Sequence, residues 1–333
     1  MQSINNHSGI LSAIGNTPVA RLERLFAEFE VDVYAKLEYL NPSGSIKDRT
    51  SYILLTEAIE ANLINSETVI IESTSGNMGV GLAQACKYLG LKLILVVDPL
   101  INPSTEKLLN LYGANVHKVS GADESGTYLA ARLAYISELQ TNIPNSFWTN
   151  QYSNKNTLKA HRDTISELKA QLGGELDYLF VPTSTCGTIM SCALALADEQ
   201  MDTKLIPVDA VGSKIFSDQS GKRKIPGMGA SRKSDYLIES MLEVPEMIND
   251  HESIVGCHRL MEREAILAGG STGAVVAAIA KRIDTIPKNS KIAFFISDRG
   301  ERYLDTIFSS DWVREHISAD AGVEKENTSK SIR

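Results

Sequence analysis

The stretch Asn41-Pro42-Ser43-Gly44-Ser45-Ile46-Lys47-Asp48-Arg49 lies between an alternating apolar run, residues 31–37, and a helical pattern opened by Asp48. A proline, a glycine and two serines between strand and helix predict a tight turn that presents Lys47 near a helix N-terminus. The positive helix dipole and partial desolvation would both lower the pKa of this lysine and favour the neutral amine. Schiff-base chemistry with an aldehyde needs a neutral amine. The alternative is a solvated lysine in a polar turn, and this stretch alone does not decide between the two.

The composition is typical of an ordinary soluble globular protein. Of 333 residues, 43% are hydrophobic and 22% charged, and the length suits two domains or one large α/β unit. A net charge of −8 and a pI near 5.4 argue against nucleic acid or an anionic membrane as partner. No apolar run approaches a membrane span and the N-terminus lacks secretion features, so we expect a cytoplasmic protein. The cysteines show no metal or disulfide spacing, and we expect no metal site and four buried free thiols: Cys86, Cys186, Cys192 and Cys257.

Strand and helix patterns alternate without interruption from residue 48 to residue 140, which predicts a three-layer α/β domain. Residues 93–97 form a nearly continuous apolar run, as in a parallel sheet covered on both faces. Residues 147–154 match neither periodicity, and we interpret them as a crossing between domains, where ligand sites tend to lie. The polar and charged tail, residues 319–333, is expected to be disordered.

Two loops rich in hydroxyl groups and glycine each follow a predicted strand and precede a predicted helix. They are residues 73–79 and residues 183–188. Free backbone N–H groups and the helix dipole point the same way in such a loop, so each can bind an anion. The first loop could instead be an ordinary βα connection with an Asx turn. The Gly-Lys-Ser/Thr element of a P-loop is absent, so ATP is not implied.

Two later segments also carry candidate functional residues. In residues 268–273 the glycines let Ser271, predicted as a helix N-cap, approach a planar or bulky group. The segment from residue 211 to residue 232 is locally cationic in an acidic protein. We interpret it as a solvated surface loop, with reception of an anionic substrate as the alternative.

Six elements of the chain occur in the order found in one enzyme family. They are Gly15-Asn16-Thr17-Pro18, residues 41–49, Thr74-Ser75-Gly76-Asn77, residues 226–231, residues 269–273 and Gly300-Glu301-Arg302-Tyr303-Leu304. Together they make the chain resemble the fold-type II pyridoxal-phosphate enzymes of the cysteine synthase and cystathionine β-synthase branch, from Gly15 to about Trp312. The resemblance implies an α/β fold of the tryptophan synthase β type, with two three-layer αβα domains and mostly parallel sheets. It implies a homodimer whose large cofactor-anchoring domain is residues 11–44 and 156–318, and whose smaller mobile domain, residues 45–155, binds the substrate carboxylate.

The family's roles transfer to matching positions of this chain. Lys47 resembles the lysine that forms the Schiff base with pyridoxal phosphate and removes the substrate α-proton. Asn77 resembles the asparagine at the cofactor's ring oxygen, and Ser271 resembles the serine at the pyridine nitrogen. The loop that binds the cofactor phosphate corresponds to Ser184, Thr185, Cys186, Gly187 and Thr188. The group that binds the substrate carboxylate corresponds to Thr74, Ser75, Met78 and Gln151.

A serine at the pyridine nitrogen disfavours a long-lived carbanion, so prompt loss of a β leaving group to give an aminoacrylate is the easier course. The resemblance therefore implies a transferase that performs β-replacement. Met78 and Cys186 depart from typical cysteine synthases, which have Thr and Gly there. The sequence context is more similar to that of N-(2-amino-2-carboxyethyl)-L-glutamate synthases of siderophore pathways. The segments that carry this similarity include Glu38-Tyr39-Leu40-Asn41, Val97-Asp98-Pro99, Asn150-Gln151-Tyr152, Val208-Asp209-Ala210 and Gly229-Ala230-Ser231-Arg232.

Such synthases condense O-phospho-L-serine with L-glutamate on the way to L-2,3-diaminopropionate. Because both substrates are anionic, Arg132 and Arg232 are candidate cationic partners, and Tyr152 and Ser184 are candidate hydrogen-bond donors. One alternative is a cysteine synthase that combines sulfide with O-acetylserine or O-phosphoserine. Another is a non-catalytic binding subunit with the same fold, against which the intact Lys47, Asn77 and Ser271 argue, because a scaffold role does not need all three.

Overall fold

The computed structural model describes residues 9–122 and 128–317, and the predicted tail, residues 319–333, lies outside the described residues. The strands are β1 (Val19–Arg21), β2 (Asp32–Lys36), β3 (Val69–Ser73), β4 (Lys92–Val97), β5 (Asn115–Lys118), β6 (Ser146–Trp148), β7 (Tyr178–Pro182), β8 (Lys204–Ala210), β9 (Glu246–Ile248) and β10 (Lys291–Phe295). The helices are α1 (Lys47–Glu60), α2 (Asn77–Leu89), α3 (Pro103–Leu111), α4 (Leu129–Asn142), α5 (Arg162–Gln171), α6 (Gly187–Asp198), α7 (Asp250–Glu264), α8 (Gly270–Arg282) and α9 (Ser310–His316).

The described strands form two sheets. The larger sheet has the order β1-β2-β10-β7-β8-β9, and β1 is its antiparallel member. The smaller sheet has the order β5-β4-β3-β6 and is parallel throughout. The predicted α/β fold with two mostly parallel sheets is therefore confirmed.

Helices cover both faces of the smaller sheet. Neighbouring residues of a strand point to opposite faces, so Ile70 and Ile71 of β3 pack on different sides. Ile70 belongs to the core shared with α1, α2 and α3, whereas Ile71 packs with Ile136 of α4. Both isoleucines are fully buried, which explains the apolar character of these strands.

The larger sheet is built in the same way. Phe294 of β10 packs in the core that includes Leu260 of α7 and Ile279 of α8. Its neighbour Phe295 packs on the opposite face with Ile189 of α6 and with residues of α5. Each sheet is therefore the middle layer between two layers of helices.

The structure departs from the sequence-based elements in three places. Residues 147–154 include the end of β6, and residues 246–248 form β9, although the sequence predicted neither strand. Strands of three residues are too short to show an alternating pattern. The helical pattern from residue 155 to residue 172 predicts one helix, whereas the structure has a 3-10 segment, Lys155–Lys159, followed by α5. The predicted domain boundaries, and the mobility of the smaller domain, stay predictions.

Three further findings concern the described residues. All four cysteines are buried free thiols, as predicted. Within residues 9–122 and 128–317, no helix combines the length and apolar character that crossing a membrane requires. The same residues contain no group of three or more histidine, cysteine, aspartate or glutamate side chains that could hold a metal ion.

Candidate active site

A cavity of about 200 Å³ lies where loops from both sheets meet. Loops that follow β3, β7 and β10 contribute to its wall, so it lies at the carboxyl ends of these strands, where ligands bind in open α/β sheets. The predicted site residues that line it are Lys47, Thr74, Ser75, Asn77, Met78, Arg132, Gln151, Tyr152, Ser184, Thr185, Cys186, Thr188 and Ser271.

Two predicted site residues do not line the cavity. Gly187 is the first residue of α6, and a Cβ at this position would lie 2.3 Å from Thr157 Cγ2, so a side chain would not fit. Arg232 is exposed, forms an ion pair with Asp235, and lies with its guanidinium 5.4 Å from the centre of the Tyr152 ring. Arg232 therefore borders the site through Tyr152.

Lys47 is the first residue of α1, so its side chain starts at the positive end of the helix. Desolvation lowers the pKa of Lys47 to about 8, although the negative charge of Asp298 opposes this shift. The Lys47 amine donates a hydrogen bond to Thr188 Oγ1 at 3.2 Å. A lysine with this pKa is neutral often enough near pH 7 to act as a nucleophile or a base.

The loop before α2 combines small residues with hydroxyl groups. The helix begins at Asn77, earlier than the sequence indicated, and Gly76 is its N-cap. Ser75 Oγ donates to Asp98 Oδ2 at 2.9 Å, which holds the loop against the end of β4. The buried Thr74 lines the cavity beside it. The loop therefore offers a helix N-terminus and hydroxyl groups to an anion such as a carboxylate.

The loop from Ser184 to Thr188 leads into α6, which packs on the larger sheet. Cys186 has a φ of 61°, a left-handed backbone conformation that favours glycine, and is followed directly by the helix. The first N–H groups of a helix lack partners within the helix, so the start of α6 provides donors beside the hydroxyl groups of Thr185 and Thr188. Ser184 Oγ donates to the Gly229 carbonyl oxygen at 3.2 Å.

Ser271 lies in the first turn of α8, but it is not the N-cap. The sequence predicted Ser271 in that role, and the structure gives it to Gly269. The N-cap residue has a non-helical backbone, and Gly269, two residues before Ser271, is the one in extended conformation. Ser271 lines the cavity, and a Cβ on Gly227 would lie 3.9 Å from its Oγ, so the wall opposite is close.

Gln151 and Tyr152 extend the wall after β6. The Gln151 backbone N–H donates to Glu72 Oε2 at 3.1 Å, and Thr149 Oγ1 donates to the same oxygen at 2.6 Å. Burial raises the pKa of the Glu72 carboxyl, and these hydrogen bonds oppose the rise. Glu72 therefore fixes the segment that carries Gln151, a role that the sequence did not indicate.

The sequence analysis also missed a group of residues that follows β10. Ser297 lines the cavity, and the buried Asp298 accepts a hydrogen bond from Asn77 Nδ2 at 2.7 Å. Arg302 donates to Asn77 Oδ1 and, at 2.6 Å, to the Ser43 carbonyl oxygen. Residues 300–304 are among the six elements that carry the family resemblance, so the sequence marks this segment without indicating its contact with Asn77.

Residues 10–298 match the family described as pyridoxal-phosphate dependent enzymes. The chain belongs to this family. The predicted cofactor, pyridoxal 5′-phosphate, is thereby confirmed.

Solved structures of this family resemble the chain over nearly its whole length. A hydrogen sulfide-producing enzyme from Fusobacterium nucleatum is 31% identical, with 90% of this chain and 100% of that chain covered and a TM-score of 0.83. O-ureido-L-serine synthase is 25% identical, with 97% and 98% covered and a TM-score of 0.83. An O-acetylserine-dependent cystathionine β-synthase from Helicobacter pylori is 28% identical, with 90% and 98% covered and a TM-score of 0.81. The chain is thus a pyridoxal-phosphate enzyme of the β-replacement, transferase type that resembles cysteine synthase.

The described residues fit this family's cofactor. Lys47 supplies an amine of lowered pKa inside the cavity, and the start of α6 supplies donors for a phosphate group. The hydroxyl oxygens of Ser73 and Ser297 are buried in the same wall without a hydrogen-bond partner among the described residues. Buried polar atoms of this kind need partners, which a polar ligand in the cavity can provide.

Proposed function

We propose that this protein condenses O-phospho-L-serine with L-glutamate to give N-(2-amino-2-carboxyethyl)-L-glutamate and inorganic phosphate. The bond between the serine β-carbon and its oxygen breaks, phosphate leaves with the electron pair, and the glutamate nitrogen bonds to the β-carbon. The product would serve the formation of L-2,3-diaminopropionate for siderophore biosynthesis. The proposal rests on the similarity in sequence described above and on one feature of the cavity.

That feature is the environment of Arg132. Its side chain lines the cavity, and its Nε is buried without a hydrogen-bond partner among the described residues. Asp98 is 3.6 Å from Nη1, and that carboxylate also accepts a hydrogen bond from Ser75, so it does not engage the whole guanidinium. A buried N–H of a cation that lacks an acceptor favours an anionic ligand. Both a phosphate ester and a dicarboxylic amino acid supply one.

The other residues of the cavity suit the remaining parts of the substrates. Thr74 and Gln151 present a hydroxyl and an amide group for the α-carboxylate, whereas the Ser75 hydroxyl donates to Asp98 and would have to turn to reach a ligand. Lys47 Nζ, once it is free and neutral, accepts the proton from the substrate α-carbon. Tyr152 feels the charges of both Arg132 and Arg232, and the Arg232 guanidinium lies 5.4 Å from the centre of its ring. This arrangement brings two guanidinium groups near one side of the cavity, each paired with one carboxylate.

Bound pyridoxal phosphate withdraws electrons from the substrate α-carbon and so makes loss of the α-proton and of the β substituent possible. The protein's contribution is to orient the substrate by its carboxylate and to hold Lys47 next to the α-carbon. The Ser271 hydroxyl would form a hydrogen bond with the pyridine nitrogen without placing a charge beside it. The loop from Ser184 to Thr188 would bind the cofactor phosphate.

A sulfide-using cysteine synthase is the second candidate. The similarity to a hydrogen sulfide-producing enzyme and to an O-acetylserine-dependent cystathionine β-synthase supports it. The Arg132 Nε, which has no partner among the described residues, favours the first candidate over an O-acetylserine-dependent synthase, because an acetyl leaving group brings neither a phosphate nor a side-chain carboxylate to pair with it.

A product assay separates the two candidates. Purified protein with pyridoxal phosphate and O-phospho-L-serine is given L-glutamate in one reaction and sulfide in another, and products are identified by mass spectrometry. We expect a glutamate adduct and stoichiometric phosphate, both absent in Lys47→Ala. Cysteine without any glutamate adduct would refute the proposal in favour of the second candidate. No product from either nucleophile, with O-acetylserine as well as with O-phospho-L-serine as the first substrate, would refute both and leave a binding subunit as the function.

We also propose that the protein acts as a homodimer. The family resemblance supports this assembly, and light scattering after size-exclusion chromatography tests it. A mass equal to that of one chain would refute it.

A further inference from the structure

The Asn77 side chain is held at both ends by residues that follow β10. Its Nδ2 donates to Asp298 Oδ2 at 2.7 Å, and its Oδ1 accepts a hydrogen bond from Arg302 Nη1. Asn77 also lines the cavity and begins α2. The amide nitrogen carries a second hydrogen, which the bond to Asp298 does not use, although the Tyr303 hydroxyl lies near the amide. That hydrogen is available to a ligand.

Arg302 connects this amide to the turn that carries the catalytic lysine. While Nη1 contacts Asn77, Nη2 donates to the Ser43 carbonyl oxygen at 2.6 Å. Ser43 is itself anchored by its backbone N–H, which donates to Asp48 Oδ2 at 2.6 Å, one residue after Lys47. A planar guanidinium with two fixed acceptors has little freedom to rotate. Arg302 therefore presents its donor to Asn77 in a fixed direction.

Asp298 is fixed as firmly. It is 2% exposed, its backbone pairs with Ser45 in an antiparallel bridge, and Tyr303 donates its hydroxyl to Asp298 Oδ2 at 2.5 Å. Burial raises the pKa of the Asp298 carboxyl, while the hydrogen bonds from Tyr303 and Asn77 and the charge of Arg302 oppose the rise. Tyr303 and Asn77 both donate to the same oxygen, Oδ2, so the contact with Asn77 is one of two side-chain hydrogen bonds that hold this carboxyl.

These two contacts decide the orientation of the amide. Arginine can only donate, and a carboxylate accepts, so a flipped Asn77 would set two donors against each other and two acceptors against each other. We propose that Asp298 and Arg302 are positioning residues, which fix the Asn77 amide so that its free N–H, and not its carbonyl oxygen, faces the ring oxygen of the cofactor. A carbonyl oxygen in that direction would repel an anionic ring oxygen instead of stabilising it.

The inference rests on the proposed contact between Asn77 and the cofactor, and the test separates the two. Five variants are compared with the wild type: Asn77→Ala, Arg302→Met, Asp298→Asn, and the two double variants that combine either change with Asn77→Ala. Arg299→Met is the control, since Arg299 is an exposed arginine of the same loop, three residues from Arg302. The readouts on the holoenzyme are its visible absorption spectrum over a range of pH and its Kd for pyridoxal phosphate from equilibrium dialysis.

We expect Arg302→Met and Asn77→Ala to alter the spectrum in the same way and to raise the Kd by about tenfold, the effect of one lost hydrogen bond to a charged group. Asp298→Asn keeps an acceptor but loses the charge, so its spectrum should change in the same direction and by less. Neither change should alter the spectrum further once Asn77 is alanine, because a residue that acts through another has no separate effect. Arg299→Met should match the wild type.

Two results would overturn the inference in different ways. If Asn77→Ala changes the spectrum and Arg302→Met does not, Asn77 contacts the cofactor without the help of Arg302. The same conclusion follows if the two changes are additive. If Asn77→Ala leaves spectrum and Kd unchanged, the proposed contact of Asn77 fails and the positioning role fails with it. A general loss of stability would lower the midpoint of thermal unfolding without reproducing the spectral change.

Discussion

Replacement of Arg49 by methionine is expected to lower the free energy of unfolding by about 3–5 kcal/mol. Arg49 lies two residues after Lys47 and is 4% exposed. Its Nε and Nη2 donate to the two oxygens of Glu38 at 2.8 Å each, and Nη1 and Nη2 donate to the Glu167 oxygens at 2.9 Å and 2.8 Å. Burial alone would raise the pKa of Glu167, but the hydrogen bonds from Arg49 and Lys36 and the charge of Arg49 lower this pKa to about 2. Arg49 is therefore bound to two carboxylates at once.

The magnitude follows from what the variant would leave behind. Glu38 is fully buried and would keep only neutral donors, namely Thr17 Oγ1 at 2.7 Å and Asn41 Nδ2 at 2.9 Å. Glu167 would keep the Lys36 amine at 2.6 Å. One buried carboxylate would thus lose its cation, and removal of one partner from a buried pair is far more costly than loss of an exposed pair.

The assay is unfolding in urea at one fixed cofactor concentration, followed by the fluorescence of Trp148 and Trp312, the two tryptophans of the chain. The double variant Arg49→Met, Glu38→Gln removes the unpaired charge, so we expect it to recover about 2 kcal/mol or more of the loss.

Arg21 provides the matched control, since it pairs with Asp32 at 2.5 Å while their side chains are 59% and 36% exposed. Its replacement by methionine should cost less than about 1 kcal/mol. An equally small loss for Arg49→Met, or no recovery in the double variant, would refute the reasoning from buried charge.

Three shorter predictions concern the site itself. Lys47, with a pKa of about 8 against 10.5 for an ordinary lysine, should carry roughly 300 times more neutral amine near pH 7. Its carbamylation by cyanate in cofactor-free protein, scored by mass spectrometry, should level off above about pH 8, whereas that of a lysine in an unstructured peptide keeps rising. Identical pH profiles would contradict the prediction. Gly273→Ala should destabilise the protein by about 1–3 kcal/mol and lower turnover, because the added Cβ would lie 2.1 Å from a backbone oxygen of α7 and displace the first turn of α8. Urea unfolding measures the loss of stability, and steady-state rates measure the loss of turnover. An unchanged midpoint of unfolding would contradict the packing argument. Arg132→Met should raise the KM for O-phospho-L-serine or L-glutamate by about 10-fold to 100-fold. Arg232→Met should raise the KM less, because Arg232 does not line the cavity. Unchanged KM values in both variants would show that neither arginine binds substrate.

The outcome for individual elements shows how far sequence patterns reach. The turn before Lys47 is local, since one proline, one glycine and a following helix define it within nine residues, and α1 begins at Lys47. The apolar runs of β3, β4 and β10 identified buried strands, because parallel strands covered on both faces carry apolar residues in succession. The short strands β6 and β9 carry too few residues for any period, and their pairing to neighbours defines them.

For the candidate site, the sequence by itself determined which segments carry the chemistry: a lysine at a helix start, two hydroxyl-rich loops before helices, and a serine among glycines. Each of these features depends on neighbours within a few residues, so each can be predicted from the sequence. The tertiary structure alone decided which distant side chains complete them. Arg302 meets Asn77 across 225 positions and Asp298 meets it across 221, while Arg232, next to a family element, remains outside the cavity wall. Such contacts depend on the packing of two sheets, whose geometry no local pattern encodes.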